Sequence, residues 1–197
     1  MGAEENCLSD SEVDKIRNWL IKALFKGIFG GQSDAILYKC KEAVDASSDS
    51  FPAEAIENKI SSETKRSMKL DSDSLDGVSY NSGDSHLVLS VCYKGAINFQ
   101  PRMKGNLPEQ DHIFSQDELK KADVDEKKIN SVYNLRYIGS SENKTKSKTP
   151  FNEWMGSVGK SESELKKHLI PKGSWDIGSF DKFLAERKKL IEANFNY

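Results

Sequence analysis

The sequence predicts an α+β fold that is mainly helical, with short strands confined to one region of the chain. Apolar residues recur at three- and four-residue spacings near both ends, which is typical of amphipathic helices. Between residues 98 and 143 the pattern changes to short apolar pieces separated by turn-forming residues, which is typical of short strands. The 197 residues, of which 37% are hydrophobic, are enough to bury one substantial core or two small ones.

Three helices are predicted in the first part of the chain. The first covers residues 9–26 and ends where glycines break the pattern. Its apolar positions are Val13, Ile16, Trp19, Leu20, Ala23 and Leu24. Ser33 or Asp34 caps a second helix over residues 36–44, and Phe51-Pro52 opens a third, because proline fits the first turn of a helix.

Residues 68–84 are rich in Asp, Ser and Gly, and are predicted to form a loop or a poorly ordered connection. The apolar run at residues 87–93 follows. It is too short for periodicity to distinguish a buried strand from a helix, and a helix is favoured.

The region with short elements has the predicted order strand, loop, strand, helix. The expected elements are a strand at residues 111–114, a helical turn at 116–121 and a strand at 135–138. Ser140 or Ser141 then caps a helix that begins near Glu142 and is limited by Pro150. This order is compact enough to hold a ligand between its parts.

Two further helices are predicted in the last part of the chain. One covers residues 161–170 and is closed by Pro171; the other covers residues 179–195. Its apolar face consists of Phe180, Phe183, Leu184, Leu190 and Ile191. The expected organisation is therefore a helical region at 1–97, a central core at 98–155 and closing helices at 156–197.

Composition limits the classes of function. Residues 1–100 hold 11 basic and 16 acidic residues, whereas residues 101–197 hold 18 basic and 15 acidic ones, which weakly favours a nucleic-acid partner for the second half. The three cysteines lack a C-x-x-C pair, so neither a disulfide framework nor a zinc knuckle is expected. With an acidic start and no long apolar run, we expect a cytoplasmic protein without a membrane partner.

Asp111, His112 and Asn143 are the residues most suited to catalysis. Phosphodiester cleavage needs an activated water and charge compensation at phosphorus, which a general base and one hard cation supply. Mg²⁺ prefers oxygen ligands and retains waters, so one carboxylate and one amide are a sufficient protein contribution. His112 follows Asp111 directly, and the two side chains face one site only if the strand ends or twists there.

Three motifs taken together resemble those of HNH (His-Asn-His) nucleases, which have the ββα-metal fold. They are E-Q-D-H-I-F at residues 109–114, Y-N-L at 133–135 and S-E-N-K-T-K-S-K at 141–148, before Pro150. More narrowly, they resemble the carboxy-terminal module of GmrSD-type modification-dependent restriction endonucleases. The resemblance is strongest over residues 107–155 and implies an α+β domain with a ββα-metal core.

The resemblance also implies roles for particular residues. His112 would be the general base and Asp111 a metal ligand, with Asn143 as the second ligand. Asn134 would fix the loop and help to orient His112. Glu142 is the alternative to Asn143, because adjacent helical residues point about 100° apart and both cannot face one site.

Basic residues beside these motifs are the predicted contacts to nucleic acid. They are Arg136, Lys144, Lys146 and Lys148, and their simpler interpretation is a solvated surface. The expected cofactor is a divalent cation, Mg²⁺ first and Mn²⁺ as the alternative.

The function that the resemblance implies is metal-dependent hydrolysis of DNA, leaving a 5′-phosphate and a 3′-hydroxyl, in a restriction or defence protein. The alternative is a nucleic-acid-binding module that keeps the HNH-like shape without cutting. Relatives pair such a module with an amino-terminal nucleotide-dependent domain. No G-x-x-x-x-G-K-[ST] motif occurs in these 197 residues, so such a function would come from an amino-terminal domain of a larger protein or from a partner subunit.

Overall fold

The computed structural model describes residues 8–31, 33–47, 50–71, 73–93, 108–147, 149–157 and 162–195. The chain is mainly helical, with one small antiparallel sheet of two strands in these residues, which confirms the predicted α+β class. None of the helices in this part of the chain combines the length and apolar character needed to cross a membrane.

The chain divides into two compact units between Asp71 and Ser72. The sequence analysis places its first boundary later, after residue 97. The difference arises because the helix Gly83–Cys92, which precedes residue 97, packs on the last helix, Phe180–Phe195. It therefore belongs to the second unit.

The first unit contains three helices: α1 (Asp10–Phe25), α2 (Ser33–Asp45) and α3 (Ala53–Glu63). Ser9 is the N-cap of α1, and its hydroxyl accepts a hydrogen bond from the Glu12 amide at 3.2 Å. The three helices occur where the apolar periodicity predicts them. Their core is formed by Trp19, Ala23, Ile28, Ile36, Ala43, Ile56, Ile60 and Met68.

The second unit begins with an irregular segment and then alternates short helices with two strands. Its regular elements are α4 (Gly83–Cys92), β1 (Pro108–His112), α5 (Gln116–Lys121), α6 (Glu126–Ile129), β2 (Leu135–Gly139), α7 (Ser140–Lys146), α8 (Phe151–Ser157), α9 (Glu162–Lys167) and α10 (Phe180–Phe195). The favoured assignment of residues 87–93 to a helix is confirmed by α4, apart from Tyr93, which caps it.

The irregular segment before α4 is an ordered part of the second unit. Leu75 and Val78 are buried, and Ser79 forms an isolated bridge with Ser131. The Tyr80 amide donates to the Asn130 carbonyl at 2.8 Å. The prediction of a loop is thus correct for the residues before Gly83, where α4 begins.

The two strands pair in a fixed register, with Asp111 opposite Arg136 and His112 opposite Leu135. The chain passes from β2 directly into α7, which packs on both strands. This strand–strand–helix unit carries the residues singled out in the sequence. Its hydrophobic support comes from a cluster formed by Ile113, Phe114, Leu119, Ile129, Phe151, Trp154, Ile170, Trp175, Phe180 and Phe183.

Two details of the predicted helices are wrong. The helix α7 begins at Ser140, and its N-cap is Gly139, which makes no side-chain cap hydrogen bond, so neither Ser140 nor Ser141 caps it. The helix predicted over residues 161–170 ends at Lys167. Leu169 has a φ of 51°, in the left-handed region, and this conformation cannot continue a right-handed helix.

Candidate active site

A cleft of about 470 Å³ lies beside the end of β1. Its lining includes Tyr80, Asp111, His112, Gln116, Asn143 and Lys146. The structure therefore brings together three residues that the sequence analysis assigns to catalysis and metal binding, namely Asp111, His112 and Asn143.

Asp111 and His112 are adjacent in sequence, and both line this cleft. β1 ends at His112, although the next amide, that of Ile113, still donates to the Asn134 carbonyl at 2.8 Å. Successive side chains of a continuing strand would point to opposite faces. The strand end that a shared site requires lies at His112, the last residue of β1.

The imidazole of His112 is held at one nitrogen. Its Nε2 lies 3.1 Å from Asn130 Oδ1 and 3.1 Å from Gln116 Nε2, and its ring packs against Tyr80 with the ring centres 4.6 Å apart. No other described residue makes a hydrogen bond to this imidazole, so Nδ1 has none from this part of the chain.

The two contacts at Nε2 favour different tautomers of the neutral imidazole. The Asn130 oxygen can only accept, so it favours the proton on Nε2 and leaves Nδ1 as the basic nitrogen. The Gln116 nitrogen can only donate, so it favours an unprotonated Nε2. Gln116 Nε2 also donates to Asn130 Oδ1 at 3.1 Å, which gives the Gln116 amide a partner in either case.

Burial lowers the pKa of His112 below its ordinary value, while the hydrogen bond to Asn130 and the charge of Asp111 act in the opposite direction. Removing a cation from water costs free energy, so the neutral imidazole is favoured. A neutral imidazole at pH 7 is the form that a general base requires.

Asn134 is fully buried and joins the segment that follows β1 to the end of α6. Its Oδ1 accepts from the Phe114 amide at 3.0 Å, and its Nδ2 donates to the carbonyls of Phe114 and Ile129 at 3.1 and 2.9 Å. Asn134 makes no hydrogen bond to His112. Its bonds to the Phe114 backbone hold the chain two residues after His112.

Asp111 is bound by two basic side chains. Its Oδ2 accepts from Arg136 Nε at 2.8 Å, and its Oδ1 accepts from Lys146 Nζ at 2.9 Å. Lys146 also donates to the backbone carbonyl of His112. The Arg136 guanidinium lies over the Trp154 ring, 3.8 Å from its centre, and is fully buried.

The basic residues predicted to contact nucleic acid differ in how far they are exposed. Arg136 is buried beneath Asp111 and does not present its guanidinium to a phosphate backbone in this conformation. Lys146 is also buried but lines the cleft, and Lys144 is exposed on α7. Lys148 lies outside the described residues.

Asn143 lies on α7 at the edge of the cleft. Its Nδ2 donates to Glu109 Oε2 at 2.8 Å, which turns its Oδ1 away from that carboxylate. No described residue donates to this Oδ1. The side chain of Glu142, the alternative ligand, is outside the part of the chain whose side chains are described.

The cleft is lined by oxygen donors of the kind that hard divalent cations take. Within the described residues no group of three or more His, Cys, Asp or Glu side chains could hold a metal. Asp111 and Asn143 offer one carboxylate and one amide oxygen, the donor types that Mg²⁺ prefers. Each carboxylate oxygen has two lone pairs, and each oxygen of Asp111 uses one of them in an ion pair. One lone pair therefore remains on each Asp111 oxygen for a cation.

Sequence reasoning missed three residues of the site. Tyr80 is distant in sequence and lies in a segment predicted to be a loop, while Asn130 and Gln116 belong to the connection between the strands. A polar residue in a connection gives no periodic signal. Asn130 is positioned as the C-cap of α6, and Gln116 as the first residue of α5, whose N-cap is Ser115.

The chain matches no protein-family model, and it matches none of the curated proteins.

Proposed function

We propose that the second unit is a divalent-metal-dependent endonuclease domain of the HNH type, which hydrolyses phosphodiester bonds in DNA. One observation carries the proposal: β1, β2 and α7 occur in this chain order, with α5 and α6 in the connection between the strands, and Asp111, His112 and Asn143 line one cleft beside them. A ββα unit with a base and two oxygen ligands is the arrangement that the resemblance implies.

His112 is the general base in this proposal. With its Nε2 proton donated to Asn130 Oδ1, its Nδ1 takes a proton from the water that attacks phosphorus. Asp111 and Asn143 would hold the cation, which compensates charge at phosphorus and at the leaving oxygen when bound. The attack breaks the bond to the 3′ oxygen, so the products carry a 5′-phosphate and a 3′-hydroxyl.

The lysines near the cleft supply the attraction to a polyanion. Lys120 and Lys146 line the cleft, and Lys144 is exposed on α7. Contacts from such residues to phosphates position a duplex without reading its sequence. The proposal therefore extends to DNA as the partner. It also extends to a restriction or defence protein in which a nucleotide-dependent domain or subunit supplies recognition.

Cleavage of a supercoiled plasmid by the purified chain tests the proposal. We expect nicking with Mg²⁺ or Mn²⁺, none with EDTA, and none from His112→Ala with either metal. His86→Gln is the matched control, because His86 is an exposed histidine hydrogen bonded to Tyr137 and does not line the main cleft. Equal nicking by wild type and His112→Ala would overturn the assignment of the base.

A second candidate is a nucleic-acid-binding module that does not cut. The ion pairs of Asp111 with Arg136 and Lys146 favour it, because this cluster has a net charge of +1 and attracts phosphate without a bound cation. This candidate predicts DNA binding that is equal for wild type and His112→Ala, with no cleavage by either. An active plasmid assay excludes it.

A further inference from the structure

The carboxylate that the proposed function assigns to a divalent cation already has a basic side chain on each oxygen. Lys146 Nζ lies 2.9 Å from Asp111 Oδ1, and Arg136 Nε lies 2.8 Å from Oδ2. Lys146 is 1% exposed and Arg136 is fully buried, so these ion pairs are poorly screened by solvent. A cation that approaches Asp111 therefore meets two like charges at close range.

The two basic residues differ in their freedom to move. The Arg136 guanidinium is packed over the Trp154 ring at 3.8 Å, on an inner position of β2. Lys146 is in the last turn of α7, and it lines the cleft together with Asp111 and His112. A lysine ammonium sits on a flexible four-carbon stem, whereas a stacked guanidinium is fixed in its plane. Lys146 is therefore the residue that can leave Asp111.

A phosphate in the cleft changes the charge balance. Asp111, Arg136 and Lys146 together carry a net charge of +1, and a phosphodiester contributes −1. An ammonium at the cleft wall can exchange a carboxylate oxygen for a phosphate oxygen without losing a charged partner. That exchange uncovers Asp111 Oδ1 on the side facing the cleft.

We propose that Lys146 covers Asp111 Oδ1 until a nucleic-acid phosphate enters the cleft and then moves to that phosphate, so that a divalent cation and nucleic acid bind cooperatively. The inference rests on the proposed function, because it takes Asp111 as the cation ligand. Coupling between two ligands is reciprocal, so the cation must strengthen nucleic-acid binding by the factor that nucleic acid strengthens cation binding.

The inference can be tested without cleavage by titrating the full chain with Mn²⁺. The electron paramagnetic resonance signal measures the concentration of free Mn²⁺ at each step. In the absence of nucleic acid we expect Lys146→Met to bind Mn²⁺ about tenfold or more tightly than wild type, within the usual range of coupling. Asp111→Asn added to Lys146→Met should remove the gain. Circular dichroism checks folding, and Lys146→Gln repeats the comparison if the methionine variant is unfolded.

Lys120→Met is the matched control, because Lys120 lines the same cleft and makes no ion pair with Asp111 in the described structure. A similar gain in Mn²⁺ affinity for Lys120→Met and Lys146→Met would overturn the inference, since overall charge would then explain it. An unchanged affinity in Lys146→Met and Lys146→Gln would also overturn it.

The affinity for a fluorescent DNA duplex, measured by anisotropy in Ca²⁺ and in EDTA, tests the reciprocal effect. Wild type should bind the duplex more tightly in Ca²⁺, and this gain should shrink in Lys146→Met. Mn²⁺ binding with these properties in a chain that cuts no plasmid would support the inference and refute the nuclease proposal. Absence of Mn²⁺ binding in every variant would refute the inference and the metal assignment together.

Discussion

The buried amide of Asn134 holds together the segment that follows β1 and the end of α6. Its side chain satisfies one amide and two carbonyls at the ends of β1 and α6. Buried polar backbone groups cost free energy when they lack partners, so no apolar side chain can replace this amide. Asn134 is thus a structural residue of the site, and His112 depends on it through the backbone.

We expect Asn134→Ala to lower the free energy of unfolding of the second unit by about 3 kcal/mol, because it leaves buried backbone groups without partners. Urea unfolding followed by circular dichroism measures the change. Asn194→Ala is the control, since Asn194 is exposed and bonds only to the Leu190 carbonyl. A loss for Asn134→Ala no larger than that of the control would contradict this role.

Asn130 is a positioning residue that acts through His112. We expect Asn130→Leu to lower kcat for cleavage by about 10- to 100-fold with little change in KM, since Nε2 loses its acceptor. The conservative change Asn130→Asp keeps an acceptor and should restore much of the activity. Nitrogen-15 chemical shifts of His112 report the tautomer directly, and unchanged shifts in Asn130→Leu would show that Asn130 does not select it.

The residues of the site differ in how far sequence could predict them. Asp111, His112, Asn134 and Asn143 stand in recognisable motifs, and the first, second and fourth meet at one cleft. Arg136 was predicted to contact nucleic acid, but its side chain is buried and donates a hydrogen bond to Asp111. Its position opposite Asp111 follows from the strand register, which a single sequence does not contain.

At the scale of elements, the helices of the first unit and α10 could be predicted because each presents a long apolar stripe. The short elements were harder to predict from the sequence. The helix α8 follows Pro150 directly and has only seven residues, and α6 has four. Such pieces are set by tertiary packing, here by Phe151, Trp154 and Ile129 in one cluster, rather than by propensity.

The contact between α4 and α10 can be tested through a cysteine. Cys92 lies at the end of α4 with its sulfur 3.8 Å from the Ile191 carbonyl of α10, and burial raises its pKa to about 12. Its thiol therefore stays protonated at pH 8, and the thiolate is the nucleophile. We expect iodoacetamide to modify Cys92 slowly in the native protein and rapidly in urea, as measured by mass spectrometry. Equal rates would contradict the packing of α4 on α10.

At the scale of the whole molecule, the two units have separate cores, so damage to one core should leave the other folded. Ile60 is fully buried in the first unit. We expect Ile60→Ala to destabilise that unit by about 2–5 kcal/mol and to leave the second unit unchanged.

Tryptophan fluorescence separates the two units in this experiment. Trp19 belongs to the core of the first unit, whereas Trp154 and Trp175 belong to that of the second. In a Trp19→Phe background the fluorescence reports the second unit alone, and its urea midpoint should be the same with and without Ile60→Ala. A shifted midpoint would mean that the two units unfold as one.

The central claim is that His112 activates a water that attacks phosphorus in DNA. Cleavage of a short duplex with Mn²⁺ in water enriched in oxygen-18, followed by mass spectrometry of the fragments, tests it most directly. The account predicts one oxygen-18 on the new 5′-phosphate, an unlabelled 3′-hydroxyl, and no product from His112→Ala. Label on the 3′ side, or the same labelled product from His112→Ala, would contradict it.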